Sequence, residues 1–322
     1  MRTGIVSNSI LCLPLLNYLH AAGEDVIVFS AEQAVNDKGA IASFCTGAGI
    51  SCTSRPPARM IHSGGDDRSD GHEKSSGQSL YDWVNKQQPA IIFVIGYNEI
   101  IRINRFTTVM PDLYNVHFGH LPEYRGPNPV FWQLKNGAPS LAITIHCVTE
   151  KLDAGGIAWK KEYPNEPFFS YGYVHQLMSN YLVEGIHYVL QLKKQGRSIT
   201  LTPQDEQKAA YFGRPNAQLV CIDWNAMRAA AICDLIKACN PWNNGAITIY
   251  NGFEIRISDA ECSSFNGNTT YSPGTILDTS GSFLVSCINK EALHIHSLTL
   301  NGILLPGRFA ANFGFIKGQS FK

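Results

Sequence analysis

Short apolar runs alternate with helix-spaced apolar stretches along the first part of the chain. Gly4-Ile5-Val6 reads as a short buried strand. Ser7-Asn8-Ser9 is a polar turn of helix-capping residues, and Leu11 to Ala22 then carries helical spacing that Gly23 ends. Asp25–Ser30 reads as a second strand. A strand–helix–strand start predicts a parallel α/β sheet. Gly47-Ala48-Gly49 is read as a turn before a third strand near Ile50–Thr53, and Leu80–Gln87 as a helix. Ala90–Ile95 is a continuous apolar run, which predicts a central strand covered on both faces. Asn128–Lys135 predicts a helix, the alternation in Leu141–Val148 a strand, and Ile157–Tyr163 its return. Tyr171–Lys194 is amphipathic, apolar at Val174, Leu177, Met178, Leu182 and Ile186, and predicts a helix that closes this domain.

The pattern changes after a mixed connector from Arg197 to about Val220 that contains Pro203 and Pro215. Met227–Cys239 is helical, and Asn240-Pro241-Trp242 stops it. Short strand-like segments follow at Ala246–Tyr250, Glu254–Ser258, Gly274–Leu277, Phe283–Cys287 and Leu293–Leu298, broken by Gly, Asn and Pro. They predict a small β-barrel. His294 and His296 share a strand face there, but the nearest acidic residue in sequence, Glu291, falls outside the predicted strand. No acid–base cluster is expected in this part, and no metal ligand set anywhere in the chain.

Composition narrows the function classes. Lys and Arg number 26 and Asp and Glu also 26, so the formal net charge is zero and gives no electrostatic case for gripping a polyanion. The 9 cysteines are odd in number, scattered, and free of any Cys-x-x-Cys, which argues for buried thiols in a reducing, cytoplasmic setting and against a zinc ribbon. No run is long enough to span a membrane. Ile10–Leu19 is expected as a first helix and not a signal peptide, because it follows a strand. The polar stretch Ser63–Gly77 contains Asp66, Asp67, Asp70 and His72, whose spacing fits no calcium loop; a solvated loop is the expectation. The first strand is not followed by Gly-x-Gly-x-x-Gly, so a nicotinamide cofactor is not supported.

The chemistry concentrates in Tyr114–Gly126, which reads Tyr-Asn-Val-His-Phe-Gly-His-Leu-Pro-Glu-Tyr-Arg-Gly. Asn115 and His117 are two apart and face one side of a strand. Polar groups at the end of an apolar strand are costly unless they have partners or a task. Lys151-Leu152-Asp153-Ala154-Gly155-Gly156-Ile157 completes the pattern, its glycines allowing a tight turn. His146 lies on the Thr144 face of the intervening strand and is read as a structural histidine before a third polar group of the site. Cys147 points to the opposite face, which argues against a catalytic thiolate.

Asn-x-His, then Leu-Pro-x-Tyr-Arg-Gly, then Asp-x-Gly resembles the folate-dependent formyltransferase family, whose members include methionyl-tRNA formyltransferases, sugar N-formyltransferases and formyltetrahydrofolate hydrolase domains. Ile222-Asp223-Trp224, Asn240-Pro241-Trp242 and Pro273-Gly274-Thr275 resemble the carboxy-terminal domain of that family. The resemblance implies a Rossmann-like, mostly parallel catalytic domain over residues 1–205 and a small OB-like β-barrel over 206–322. It implies Asn115, His117 and Asp153 as the catalytic trio, 10-formyltetrahydrofolate as cosubstrate, and no metal. It also implies folate contacts at Glu99, Ile100, Ile101, Leu121, Pro122, Thr149, Glu150, Lys151 and Leu152; read alone, the two isoleucines are core residues. One departure is Gly119-His120-Leu121-Pro122 where the family often has Ser-Leu-Leu-Pro: Gly119 removes a hydroxyl from the site, and His120 in place of an apolar residue is expected to alter the acceptor pocket or the folate edge.

Formyl transfer needs donors for a developing oxyanion and a route for two protons. Asn115 can donate to the oxyanion, a term worth about 3–4 kcal/mol. His117 can donate or shuttle a proton, and Asp153 can orient and charge the ring. The zero charge favours a small primary amine as acceptor, such as a nucleotide-linked amino sugar, over tRNA. The basic residues of the barrel segment are few, chiefly Lys237, Arg256, Lys290, Arg308, Lys317 and Lys322. Formyltetrahydrofolate hydrolysis and a non-catalytic folate-binding role stand as alternatives. A homodimer is left open beside a monomer.

Overall fold

The computed structural model describes residues 1–31, 35–55, 79–107, 110–264 and 271–322. The Ser63–Gly77 stretch, with Asp66, Asp67, Asp70 and His72, lies outside the described residues. The chain divides into two compact units. The first contains Met1–His117, Ile143–Lys161 and Met178–Ala209; the second contains Phe118–Ala142, Glu162–Leu177 and Ala210–Lys322.

In chain order the first elements are β1 (Thr3–Ser7), α1 (Leu13–Ala21), β2 (Val26–Ala31), α2 (Val35–Ala48), β3 (Ser51–Arg55), α3 (Leu80–Gln87), β4 (Ile91–Ile95) and β5 (Asp112–His117). They are followed by α4 (Pro129–Lys135), β6 (Ser140–Cys147), β7 (Ile157–Pro164) and α5 (Tyr171–Lys194). The sheet order is β3-β2-β1-β4-β5-β6-β7. β1 pairs in parallel with β2 and β4, and β4 with β5, whereas β5 and β6 run antiparallel. Every residue of β1, β2 and β4 is buried, as expected for strands covered on both faces. The order reverses between β1 and β4, and in open α/β sheets ligands bind beyond the carboxyl ends of the strands near such a switch.

Local sequence accounts for these elements. Ser79 and Asp82 form a reciprocal capping box that starts α3, and the Trp83 ring of that helix sits where a Cβ at Gly4 would meet it at 3.0 Å. Glycine at position 4 therefore lets α3 approach β1. α2 was not expected: the sequence reading gave Gly47-Ala48-Gly49 only as a turn. The helix runs through Gly47 to Ala48, held by buried Ile41 and Cys45 one turn apart, and Gly49 ends it at φ +65°. No helix among the described residues is long and apolar enough to cross a membrane.

The second unit holds α6 (Ala229–Cys239) and strands β8 (Ala246–Tyr250), β9 (Phe253–Ser264), β10 (Ile276–Asp278), β11 (Leu284–Ser286), β12 (Glu291–Leu300) and β13 (Ile303–Pro306). The antiparallel order is β10-β11-β12-β9-β8, with β13 on β12. The segment Gly318–Lys322 bonds to both ends of this sheet. Lys322 and Ile249 exchange two backbone bonds of 2.8 and 3.0 Å, and Gly318 and Gln319 bond Ile276, each at 2.8 Å. The two edge strands are thereby joined, which is how a small barrel removes its edges. Trp224, Phe283, Phe315 and Phe321 fill the interior. One expectation is corrected here: Glu291 is the first residue of β12 and not outside it, and the acidic neighbour of His294 is Glu261, directly opposite on β9.

Candidate active site

β5 and β6 bring the polar residues of the first unit together. The antiparallel register sets Asn115 opposite His146 and His117 opposite Thr144. Cross-strand partners share a face, so His146 lies on the Asn115 and His117 side and Cys147 pairs with Tyr114 on the other. Burial pushes both the Cys147 thiol and the Tyr114 phenol up, so Cys147 is a thiol at neutral pH.

His117, His146 and Asp153 are buried, with relative exposures of 5%, 2% and 8%. Asp153 presents one carboxylate oxygen to each ring: Oδ2 lies 3.9 Å from His117 Nδ1, and Oδ1 lies 3.6 Å from His146 Nε2. His146 Nδ1 is 2.9 Å from the Cys147 carbonyl oxygen, which only accepts, so the proton sits on Nδ1. Its Nε2 then accepts from Asn115 Nδ2 at 3.1 Å. An amide nitrogen carries two hydrogens, so His146 orients the Asn115 amide and leaves its second hydrogen for another acceptor. His146 is thus the residue that the sequence reading undervalued. Its chemistry depends on the β5–β6 register, which no local pattern reveals.

Asp153 is placed by a tightly specified loop. Its own φ is +52°. Gln204 Nε2 donates to the Asp153 and Gly155 carbonyls at 2.8 and 2.7 Å, and the Cys147 amide donates to Gly156 at 2.9 Å. A Cβ on Gly155 would lie 1.9 Å from the Cys147 oxygen, so only glycine fits there. Of the residues expected at a folate, Thr149, Glu150, Lys151 and Leu152 are exposed on this loop. Ile100 is exposed on the loop after β4 and Ile101 is buried, while Glu99 accepts from the Tyr97 hydroxyl at 3.1 Å. The structure brings Asn115, His117 and Asp153 together in the first unit, which also contains the loop after β4.

Leu121 and Pro122 are buried in the second unit. There the Gln133 side chain, fully buried, donates to the Phe118 and Pro129 carbonyls at 2.9 and 3.1 Å and accepts from the His120 and Ala142 amides at 3.2 and 3.3 Å. One side chain therefore fixes the backbone that follows His117. His120, expected to alter the acceptor pocket or the folate edge, turns its Nε2 to Ser140 at 3.1 Å and its Nδ1 to Glu162 at 3.5 Å. Gly126 in the Tyr-Arg-Gly sequence is at φ +117°, with the Phe212 carbonyl 2.0 Å from where a Cβ would stand. That glycine is in the pattern because the 210–212 segment runs directly against it.

Two family models match the chain: Formyl transferase over residues 44–172 and Formyl transferase, C-terminal domain over 216–305. The chain belongs to the folate-dependent formyltransferase family. A methionyl-tRNA formyltransferase of Fervidobacterium nodosum is 29% identical over 222 residues, 68% of this chain and 69% of that protein. Among solved structures, the N-formyltransferase of Helicobacter canadensis in complex with folinic acid and dTDP-3-aminofucose superposes with a TM-score of 0.67 at 15% identity, covering 91% of this chain and 98% of that one. HypX of Aquifex aeolicus in complex with tetrahydrofolic acid gives 0.62 at 16%, over 98% of this chain but 47% of that one. The chain therefore spans about half the length of HypX. At these identities the structural likenesses speak to the fold.

Proposed function

We propose that this formyltransferase moves a formyl group from 10-formyltetrahydrofolate to the primary amine of a small acceptor, of the nucleotide-linked amino-sugar class. The observation that carries formyl transfer is the buried Asn115–His146 and His117–Asp153 cluster at the carboxyl end of β5. The amine nitrogen attacks the formyl carbon, and the carbonyl electrons move to oxygen. The free hydrogen of the Asn115 amide is the donor for that oxygen. His117, with Asp153 behind it, supplies the second positive pole and passes protons. The amine loses a proton, the bond from carbon to the folate nitrogen breaks, and that nitrogen takes up a proton. The 3.9 Å separation of His117 and Asp153 suits a pair that tightens once substrate excludes water. Residues 1–205 are proposed as the catalytic domain and 206–322 as the barrel domain, with the folate held by the loops at 99–101 and 149–152.

The small acceptor is supported by charge. In the second unit Arg228 pairs with Glu291, Lys237 with Asp234 and Arg256 with Glu254, so three of its cations are already neutralised. The sequence likeness to methionyl-tRNA formyltransferases favours a second reading, with tRNA as acceptor. The test is turnover with 10-formyltetrahydrofolate against a panel of nucleotide-linked amino sugars, initiator methionyl-tRNA, and no amine. Formylation of a sugar amine supports the proposal. Efficient, salt-sensitive formylation of the tRNA overturns the acceptor, and formate release at full rate without any amine identifies a hydrolase.

A further inference from the structure

The outer face of the β9–β12 pair carries Glu261, His294 and His296, whose ligand-type atoms all lie within 4.8 Å of one another. His294 sits directly across from Glu261. The register then shifts: Ile295 pairs with Ala260 and Ser297 with Asp259, so His296 is an extra residue with no partner on β9. Such a bulge bends the strand and re-aims its side chain. The result is convergence on one atom. His294 Nδ1 and His296 Nε2 each lie 3.3 Å from Glu261 Oε1. The nearer histidine uses its near nitrogen and the farther one its far nitrogen. Leu293 and Ile295 alternate with them into the interior, fully buried, so the two imidazoles project outward from a rigid strand.

We infer that Glu261, His294 and His296 form a surface site for a divalent transition metal of the zinc class. The distances suit such a site as well as an ion pair. Ligands about 2.0–2.1 Å from a tetrahedral zinc stand about 3.3–3.4 Å apart, which is the spacing of both imidazole nitrogens from the carboxylate oxygen. A charge-assisted N–H···O bond is shorter, about 2.7–2.9 Å. Two imidazoles and one carboxylate select zinc, cobalt, nickel or copper over magnesium or calcium, which take oxygen ligands. The three side chains are 28%, 37% and 63% exposed, so a fourth position opens to solvent and takes a water or an external donor. Because both strands contribute ligands, the metal cross-links β9 to β12 and stabilises the folded chain by mass action.

The test uses full-length chain stripped by chelator and titrated with Co²⁺, then with Zn²⁺ in competition. Co²⁺ reports geometry through its visible bands, and thiolate ligation through a near-ultraviolet charge-transfer band. That distinction matters because Cys233 and Cys262 lie with their sulfurs 3.9 Å apart. The expected result is one equivalent of tetrahedral Co²⁺ without the thiolate band, displaced by Zn²⁺, together with a higher melting temperature. His294→Gln and His296→Gln should each weaken binding at least about 10-fold, on the scale of lost ligand-shell contacts. All are surface substitutions, and circular dichroism checks that each variant is folded. The inference is overturned if the wild type shows no saturable uptake, or if the His294→Gln/His296→Gln double variant binds as the wild type does. It is equally overturned if the bound Co²⁺ shows the thiolate band and is lost in Cys233→Ala.

Discussion

On β5 and β6, with the loop that follows, two histidines and an aspartate are more than nine-tenths buried. On β9 and β12 two histidines and a glutamate converge in solvent. Both clusters hang on an antiparallel pair with residues set opposite one another. What differs is how much of the surrounding chain holds each side chain. The Asn115 amide is held by His146, His146 by the Cys147 carbonyl, and the Asp153 backbone by Gln204. Among the described residues, Glu261 and its histidines pair only with one another. Charge and dipole act strongly in the buried cluster because water does not screen them. The exposed cluster gains little from its charges but keeps an open coordination position. Burial suits the first to transition-state stabilisation, and exposure suits the second to capturing an ion.

The largest expected effect tests the buried side of that contrast. Asn115→Ala removes the proposed oxyanion donor and should lower kcat about 100- to 1,000-fold, while folate affinity by calorimetry changes little. A loss of under a few-fold would mean that another donor faces the oxygen. His117→Ala and Asp153→Asn should each lower turnover at least about 100-fold with unchanged circular dichroism. Near-normal turnover in either purified variant removes that residue from the mechanism.

His146→Leu is the next step down and asks whether the supporting bonds matter. Leaving the Asn115 amide without its partner costs about 1–3 kcal/mol in orientation, or roughly 5- to 150-fold in kcat, with KM for the folate held. His146→Gln offers an acceptor at the same place and should recover part of it. Equal losses in both variants, with a matching fall in melting temperature, would assign His146 to packing alone.

How much of this was legible in the sequence follows the same division. Strands such as Ile91–Ile95 and the helix Tyr171–Lys194 were readable because burial imposes one continuous period. The convergence of Asn115, His117 and Asp153 was readable because two short motifs keep them at fixed spacing. α2 was hidden by its glycines, because among its residues of described burial only Ile41 and Cys45 mark its buried side. His146 was ranked as a structural histidine ahead of a site residue, and Glu261 was missed, for one shared reason: each acquires its partner across a strand register. Glu261 is far from His294 in sequence, and the bulge at His296 has no local signature.

A fifth histidine separates burial from carboxylate pairing. His175, in the second unit, has its Nδ1 2.9 Å from the Tyr171 carbonyl and rests against the Tyr171 and Phe118 rings. Desolvation lowers its pKa from the usual histidine value, and the bond to the Tyr171 carbonyl only partly offsets this. The folded state therefore binds fewer protons than the unfolded chain between the lowered pKa and about 6.5. Stability from this residue is fully present above about pH 6.5 and falls as the pH drops through that window. The expected outcome is a urea midpoint that decreases from about pH 7 to about pH 5, and decreases less in His175→Gln, which keeps an N–H donor without titrating there. This is a modest shift, smaller than the catalytic losses. Identical pH profiles in the two proteins would show that His175 titrates alike folded and unfolded, and that burial without a carboxylate does not set a histidine's charge in this fold.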